Sequence, residues 1–227
     1  MNTKDIIGWD VEAWSIILKH WKNYMAQHVN WTLGLELGAN RGGLTAFFLS
    51  NTNVRFVCSD FPNKPELAID LHSKLGVCDR VFYEAVDATQ IQFPDNYFDL
   101  VCFKSILGVV GSNGDNSRQE KAIDEIMRVL KPGGVLFFAE NLKASILHEL
   151  ARRYFVPWGR AWNYPSLKEL RKLTNKYDVI DIKVYGFFSA FVRKEGLIKR
   201  FLVGLDKVLV PIIPPSQRYI VSFIIRK

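Results

Sequence analysis

Several short stretches of this chain place chemically useful side chains where an apolar run gives way to a loop. Leu33–Thr45 reads LGLELGANRGGLT: an apolar run ending in Glu36, a loop of Gly38, Ala39, Asn40, Arg41, Gly42 and Gly43, then a helical pattern. Gly38 permits a tight turn and close approach of a ligand to the backbone, because no Cβ intervenes. Gly42 and Gly43 are expected to keep the helix start open, with free N–H groups for a carboxylate or another anion. Asp60 closes VRFVCSD and precedes Phe61, Asp87 and Ala88 follow VFYEAV, Lys104 and Ser105 follow FDLVCF, and Glu140 closes VLFFAE. Carboxylates in such places accept hydrogen bonds from hydroxyl and amino groups.

The loop spacing excludes two chemistries. A dinucleotide site wants G-x-G-x-x-G to seat a pyrophosphate, whereas this loop reads Glu-x-Gly-x-x-x-Gly. That disfavours a nicotinamide oxidoreductase, and a phosphate-cradling loop ending in G-K-S/T is absent. No cluster of His, Cys, Asp and Glu has metal-ligand spacing, so no metal is expected. Cys58, Cys78 and Cys102 lack C-x-x-C spacing and point to a reducing cytosol rather than a disulfide framework.

The elements that must position these residues follow from periodicity. Thr32–Leu37, Val54–Cys58, Val81–Ala85, Phe98–Phe103 and Val135–Glu140 read as strands. Gly43–Ser50, Lys64–Leu75 and Ser117–Leu130 read as the helices between them, the last stopped by Lys131-Pro132-Gly133-Gly134. Strands separated by helices imply parallel pairing through right-handed crossovers, an α/β doubly wound sheet covered on both faces. Val11, Trp14, Ile17, Leu18, Trp21 and Met25 make one stripe of an N-terminal helix that packs on the core. Beyond residue 140, Ala144–Tyr154 and Ser166–Lys176 look helical, and Asp178–Phe187 and Gln217–Arg226 look strand-like. One domain is expected: a helical cap over 1–30, a core over 31–141 and an elaboration over 142–227.

Five of these motifs, in order over about residues 31–141, resemble the class I S-adenosylmethionine-dependent methyltransferases, in the branch of small-molecule and glycan methyltransferases. Glu36–Gly42 is similar to that family's first motif, Asp60 to the acid closing its second strand, and Asp87-Ala88 to its adenine-contacting pair. FPDNYFDLVCFKSIL is similar to the segment entering the fourth strand, and VLKPGGVLFFAEN to the helix–turn–fifth-strand signature. The resemblance implies a Rossmann-like, mostly parallel seven-stranded sheet and S-adenosyl-L-methionine as cofactor. It implies that Asp60 accepts both ribose hydroxyls, Asp87 the adenine amino proton, and that Ala88 N–H donates to the ring. Gly38 and Ala39, with Asn40 and Gly42 in the same loop, would line the cofactor. Phe61 either stacks near the adenine or packs in the core. Lys104, beside Ser105, neutralises the cofactor carboxylate, touches an anionic acceptor, or is a surface lysine.

Methyl transfer is an in-line displacement, and a general base is needed only where the acceptor must lose a proton. His148 and Glu140 are the candidates; His20, beside Trp21 in the apolar stripe, reads as packing. Acceptor selection is expected in the later segments. Tyr154–Tyr164 interleaves Tyr154, Phe155, Trp158, Trp162 and Tyr164 with Arg152, Arg153 and Arg160, which suits a sugar, a phosphate-bearing acceptor or stacked bases. Leu197–Ile212 puts Leu197, Ile198, Phe201, Leu202, Leu205, Val208, Leu209 and Ile212 on one arc, opposite Lys199, Arg200, Asp206 and Lys207. Such a helix either docks on its own domain or lies in a membrane interface.

Charge sharpens that choice. The 227 residues carry a net +7, but residues 141–227 hold 17 Lys and Arg against 6 Asp and Glu. A basic half signals an anionic partner or a solvated basic face. With 48% hydrophobic and 23% charged residues the chain is neither disordered nor fibrous. No apolar stretch approaches the ~18–20 residues of a spanning helix, and no signal peptide is legible, so a cytoplasmic protein is expected, with contact at the inner membrane face as an option. The expected function is methyl transfer to oxygen or nitrogen of a small or carbohydrate-like acceptor, lipid-linked acceptors included. The alternatives are an RNA methyltransferase, for which no nucleic-acid module is visible, and a noncatalytic cofactor-binding scaffold.

Overall fold

Side-chain alternation along the apolar runs decides which face of the sheet each residue serves. The computed structural model describes residues 2–27, 30–156, 161–192 and 194–227. Its strands are β1 (Leu33–Leu37), β2 (Arg55–Asp60), β3 (Val81–Ala85), β4 (Phe98–Lys104), β5 (Leu130–Asn141), β6 (Asp178–Tyr185) and β7 (Ile220–Arg226). They form one sheet in the order β3-β2-β1-β4-β5-β7-β6. The first five pair in parallel, while β7 runs antiparallel to both β5 and β6. This is the mostly parallel, seven-stranded α/β architecture that the sequence leads one to expect.

Two apolar layers cover the sheet. On one face Phe56, Cys58, Leu100, Cys102 and Phe137 pack against α1 (Thr3–Ile7), α2 (Val11–Met25), α3 (Gly43–Asn51) and α4 (Glu66–Lys74). On the other, Leu35, Leu37, Val57, Val101 and Leu136 pack against α5 (Leu107–Val110), α6 (Asn116–Val129) and α8 (Leu167–Thr174). Between α6 and α8 in the chain lies α7 (Ile146–Phe155), and α9 (Leu197–Leu209) precedes β7. Phe103, Phe138 and Phe223 stack across β4, β5 and β7 with ring centroids 5.0 and 4.7 Å apart. Gly34 has no side chain because the Phe56 ring fills that space; a Cβ there would lie 2.7 Å from it.

The α2 stripe packs as expected, with Trp14, Ile17 and Trp21 fully buried. Trp21 donates its indole N–H to Ser222 Oγ at 2.8 Å. His20 bridges Ser222 and Asp181, each at 3.0 Å, and thereby ties α2 to β6 and β7. Two short helices, α1 and α5, went unforeseen. The Lys131–Gly134 turn is also revised: β5 begins directly at Leu130, and Gly133 and Gly134 pair with the Lys227 backbone inside the sheet. Gly133 has φ +77°, which accommodates the bulge without breaking the strand.

The largest departure concerns α9. The helix docks on its own chain, but by its polar arc: Lys199 and Asp206 are buried, while Leu197 is 83%, Ile198 69%, Phe201 69% and Val208 73% exposed. Only the partly buried Val203 joins the core from this helix. The physical reason is a polar network beneath it, described below.

Candidate active site

Each strand of the parallel half ends at the same edge of the sheet, where the loops must supply the chemistry. Gly38 takes φ +64°, and a Cβ there would lie 2.5 Å from Ile106 Cγ2, so the loop after β1 runs tight against the turn after β4. Ala39 N–H donates to Ser59 O at 2.8 Å and fastens the loop to β2. The exposed Asn40, at φ +49°, donates its N–H to Asp60 Oδ2 at 2.9 Å, and Phe61 N–H donates to Asp60 Oδ1 at 2.9 Å. Both Asp60 oxygens are thus oriented by backbone amides, each with lone pairs to spare. Phe61 is 60% exposed, so it is not a packing residue of the core.

The expected open helix start is not found. Gly42 N–H donates to Ala39 O, a Cβ on Gly42 would meet the His72 ring, and one on Gly43 would run into the Ile6 carbonyl. The anion at the start of α3 is the protein's own. Buried Glu36 accepts Thr45 N–H at 2.7 Å and also faces Leu44 N–H. Burial pushes its pKa up to about 7 against the pull of those hydrogen bonds. Glu36 and Gly42 therefore shape the loop from beneath.

Asp87 Oδ1 accepts both the backbone N–H and the hydroxyl of Thr89, each at 2.8 Å, which fixes the turn after β3; Ala88 is buried beside it. Ser105, at φ +59°, donates its N–H to Ala139 O and accepts from the Asn141 side chain at 3.2 Å. Gly38, Asp60 and Ser105 belong to loops at the ends of β1, β2 and β4, neighbours in the sheet, and Asp87 follows at the end of β3.

Lys104 is neither a surface lysine nor turned to solvent. Its Nζ lies 3.6 Å from the centroid of the Trp9 ring and 4.4 Å from that of Trp14, a double cation–π contact. Burial pulls its pKa down to about 7, opposed by the charges of Asp10 and Glu140. Buried Glu140 accepts Leu107 N–H at 2.7 Å and so caps α5; burial pushes it up to about 8. His148 is also buried, with Ser145 Oγ at 2.7 Å from Nδ1 and Phe187 O at 3.0 Å from Nε2. Both ring nitrogens are engaged within the protein, and burial holds the pKa below the ordinary histidine value.

A cavity of about 640 Å³ opens beside this edge, lined by aromatic residues including Trp9, Phe155, Trp162, Tyr164, Phe191 and Tyr219. His148 is in its wall, as are Asn141 and Arg152. Arg152 donates to the carbonyls of Leu142 and Lys143 at 2.6 and 3.1 Å, and its guanidinium carbon sits 4.2 Å from the centroid of the Tyr164 ring. Of the expected aromatic–arginine segment, Trp158 and Arg160 lie outside the described residues. Asn163 N–H donates to Gly108 O, which pins Trp162 and Tyr164 against α5.

The cavity's far wall was not foreseen. Lys199 reaches Asp10 Oδ1 at 2.5 Å and donates to the carbonyls of Ser189 and Val192 at 2.6 and 2.9 Å. Asp10 accepts from Tyr219 OH at 3.0 Å, while Asp206 accepts Phe188 N–H, Ser189 N–H and Ser189 OH. Lys199 and Asp206 stand seven residues apart on one face of α9, an opposite-charge spacing that is the one signal that could have marked them for burial.

Comparison with known proteins agrees with this geometry. Residues 35–138 match the family described as "Methyltransferase domain". The chain is 33% identical over 123 residues to the ubiquinone/menaquinone biosynthesis C-methyltransferase UbiE of Vibrio cholerae, covering 53% of this chain and 45% of that one. It is 35% identical over 132 residues to a demethylmenaquinone methyltransferase of Leptospira interrogans, covering 54% and 51%. The chain thus spans about half the length of these relatives. Its fold is similar to that of the [4+2]-cyclase SpnF, with a TM-score of 0.63 at 18% identity, covering 92% of this chain and 80% of that one. Residues 35–138 are thus similar in sequence to a methyltransferase domain, and they fold into the parallel part of the sheet that carries the loops described above.

Proposed function

We propose that the protein moves a methyl group from S-adenosylmethionine to an apolar, ring-bearing small molecule held in the cavity. The observation that carries this reading is the wall of aromatic residues around about 640 Å³, linked through Asn141 to the Ser105 turn after β4. Aromatic faces exclude water and hold a flat apolar ring, whereas a sugar would leave many hydroxyls unpaired there. The relatives support carbon as the receiving atom, since one is named a C-methyltransferase of quinone biosynthesis. Oxygen or nitrogen of a carbohydrate has no such support.

The residues present fit the cofactor. Asp60 carries an oriented carboxylate with lone pairs left for two ribose hydroxyls, next to the exposed Gly38 and Asn40 of the loop after β1. Asp87 and Ala88 would meet the adenine, with Ala39, Asn40 and Ser105 along the remaining length. When bound, the cofactor supplies a methyl group already activated by its sulfonium. The protein's part is placement, which can supply much of the rate. Glu36 acts through the loop, Glu140 through α5, and Lys104 by fixing Trp9 as a wall; all three are positioning residues. His148 shapes the cavity with both ring nitrogens engaged, so the proton that a ring carbon sheds on gaining the methyl group would leave to solvent.

Calorimetry with S-adenosylmethionine and NAD tests the cofactor half, with binding of the former alone expected. Transfer of labelled methyl from S-adenosylmethionine to a panel of hydroquinones, phenols and monosaccharides tests the acceptor half. Label on sugars but not on apolar rings would overturn the reading.

A further inference from the structure

We propose that α7, α9 and the turn between them form a docking face for an anionic lipid bilayer, onto which the acceptor cavity opens. The face is apolar where a soluble protein is ordinarily polar. On α9 the burial is inverted, with Lys199 and Asp206 inside and Leu197, Ile198, Phe201 and Val208 outside. On α7 the same holds, with Ile146 74%, Leu147 59% and Tyr154 69% exposed. Both helices pack against the short 3-10 turn Phe188–Phe191, so the two apolar arcs flank one element. Phe155 and Phe191 belong to the face and to the cavity at once: each is exposed and each lines the cavity wall. Exposed apolar arcs gathered around one turn mark an interaction site.

Charge selects the occupant. Lys143 and Arg153 beside α7, and Lys194, Arg200 and Lys207 beside α9, are exposed. Three acidic groups share this rim with the five basic ones, Glu149 pairing with Lys143 at 3.6 Å, Glu12 with Arg200 at 2.8 Å and Glu195 accepting Val11 N–H at 2.7 Å, so the rim keeps a net positive charge of about two. Asp206 is spent on Ser189 and Phe188 N–H. A second copy docked through the same patch would bring like-charged rims together, because a twofold interface pairs a surface with itself. Anionic headgroups meet that rim with opposite charge while the acyl boundary takes the apolar arcs. Among the described residues no helix is long and apolar enough to cross a membrane, so the contact is made from one side. An apolar acceptor would then enter from the lipid without crossing water. That route rests on the acceptor reading above; the docking does not.

The test is co-sedimentation of the whole chain with phosphatidylglycerol-containing vesicles and with pure phosphatidylcholine vesicles. The expected result is pelleting with the anionic vesicles at low salt, weakened near 1 M salt, where the screening length falls to about 3 Å. Ile198→Glu with Phe201→Glu should lower the partition at least about tenfold, since each apolar side chain withheld from lipid forfeits more than that factor. Melting temperature and cofactor binding should stay as in the wild type; Leu197→Glu with Val208→Glu is the second pair should the first disturb folding. No pelleting at low salt, or pelleting that both pairs leave intact, overturns the proposal. A dimer in solution that these substitutions dissolve would assign the face to a second copy instead. Vesicle binding without cofactor binding would keep the docking and sink the methyl-transfer reading.

Discussion

Glu36 in β1 accepts the backbone N–H of Thr45 in α3 at 2.7 Å, across the glycine loop that joins their elements. The carboxylate stands where an external anion would otherwise sit, at the positive end of the helix. Glu140 repeats the device on Leu107 at the same distance. Two buried strand-end glutamates thus hold the two loops between which the cofactor would lie. Glu36→Ala leaves buried N–H groups without an acceptor and should cost about 1–3 kcal/mol in a denaturant melt. Glu36→Gln keeps an acceptor oxygen and should recover most of that; equal losses would show that the acceptor role is unimportant.

Glu140 gives a pH signature. Its pKa is about 8 in the folded chain against an ordinary 4.5. A carboxyl whose pKa is higher folded than unfolded favours the fold at low pH, and that contribution is lost as pH rises from about 4.5 to about 8. Glu140→Gln removes the titration and keeps an acceptor for Leu107 N–H. The stability of the variant relative to the wild type should therefore grow across that window. A difference independent of pH would show that Glu140 does not titrate there.

Asp60→Ala should weaken S-adenosylmethionine binding by about 1.5–3 kcal/mol in calorimetry, the range for hydrogen bonds to a charged group. Asp60→Asn, which keeps one acceptor oxygen, should fall between. Unchanged affinity in a folded variant would place the ribose elsewhere.

Lys199→Met should destabilise by about 1–3 kcal/mol, because it leaves the half-buried Asp10 with Tyr219 OH but without its cation. Combining it with Asp10→Asn should cost less than the two single losses added together, and the double-mutant cycle reads that coupling from four melts.

His148→Gln should lower the melting temperature through lost contacts with Ser145 and Phe187, yet leave the pH profile of methyl transfer per folded molecule unchanged. A profile that loses a limb in the variant would restore His148 as the general base.

Local chemistry made the parallel half legible from sequence. Val81–Ala85 and the α2 stripe follow from period alone, and Gly38 and Asp60 from what a strand-end loop can do. Gly42 and Gly43 mark a helix start that takes an anion, but nothing local says that Glu36 supplies that anion from within. Lys104 was open between solvent and ligand because Trp9 and Trp14 reach it from 90 residues away in the chain. The α9 arc misled most. Amphipathicity says that one face is buried but not which, and the choice was made by Asp10, Ser189 and Tyr219, none of them near α9 in pattern.

The insertion of β7 between β5 and β6 has a consequence for how the molecule is made. Synthesis delivers six strands before the one that joins β6 to the sheet exists, since Asp178–Tyr185 pairs only with Ile220–Arg226, which in turn pairs with the free side of Val135–Asn141. Until that segment leaves the ribosome, the nascent chain carries an open edge on β5 and an unattached β6, the kind of edge that pairs with strangers. The tunnel exit is therefore the place where this protein is most exposed to aggregation. A stop codon or cleavage that removes only the last strand would strand the entire cavity side, although it deletes no residue of the glycine loop.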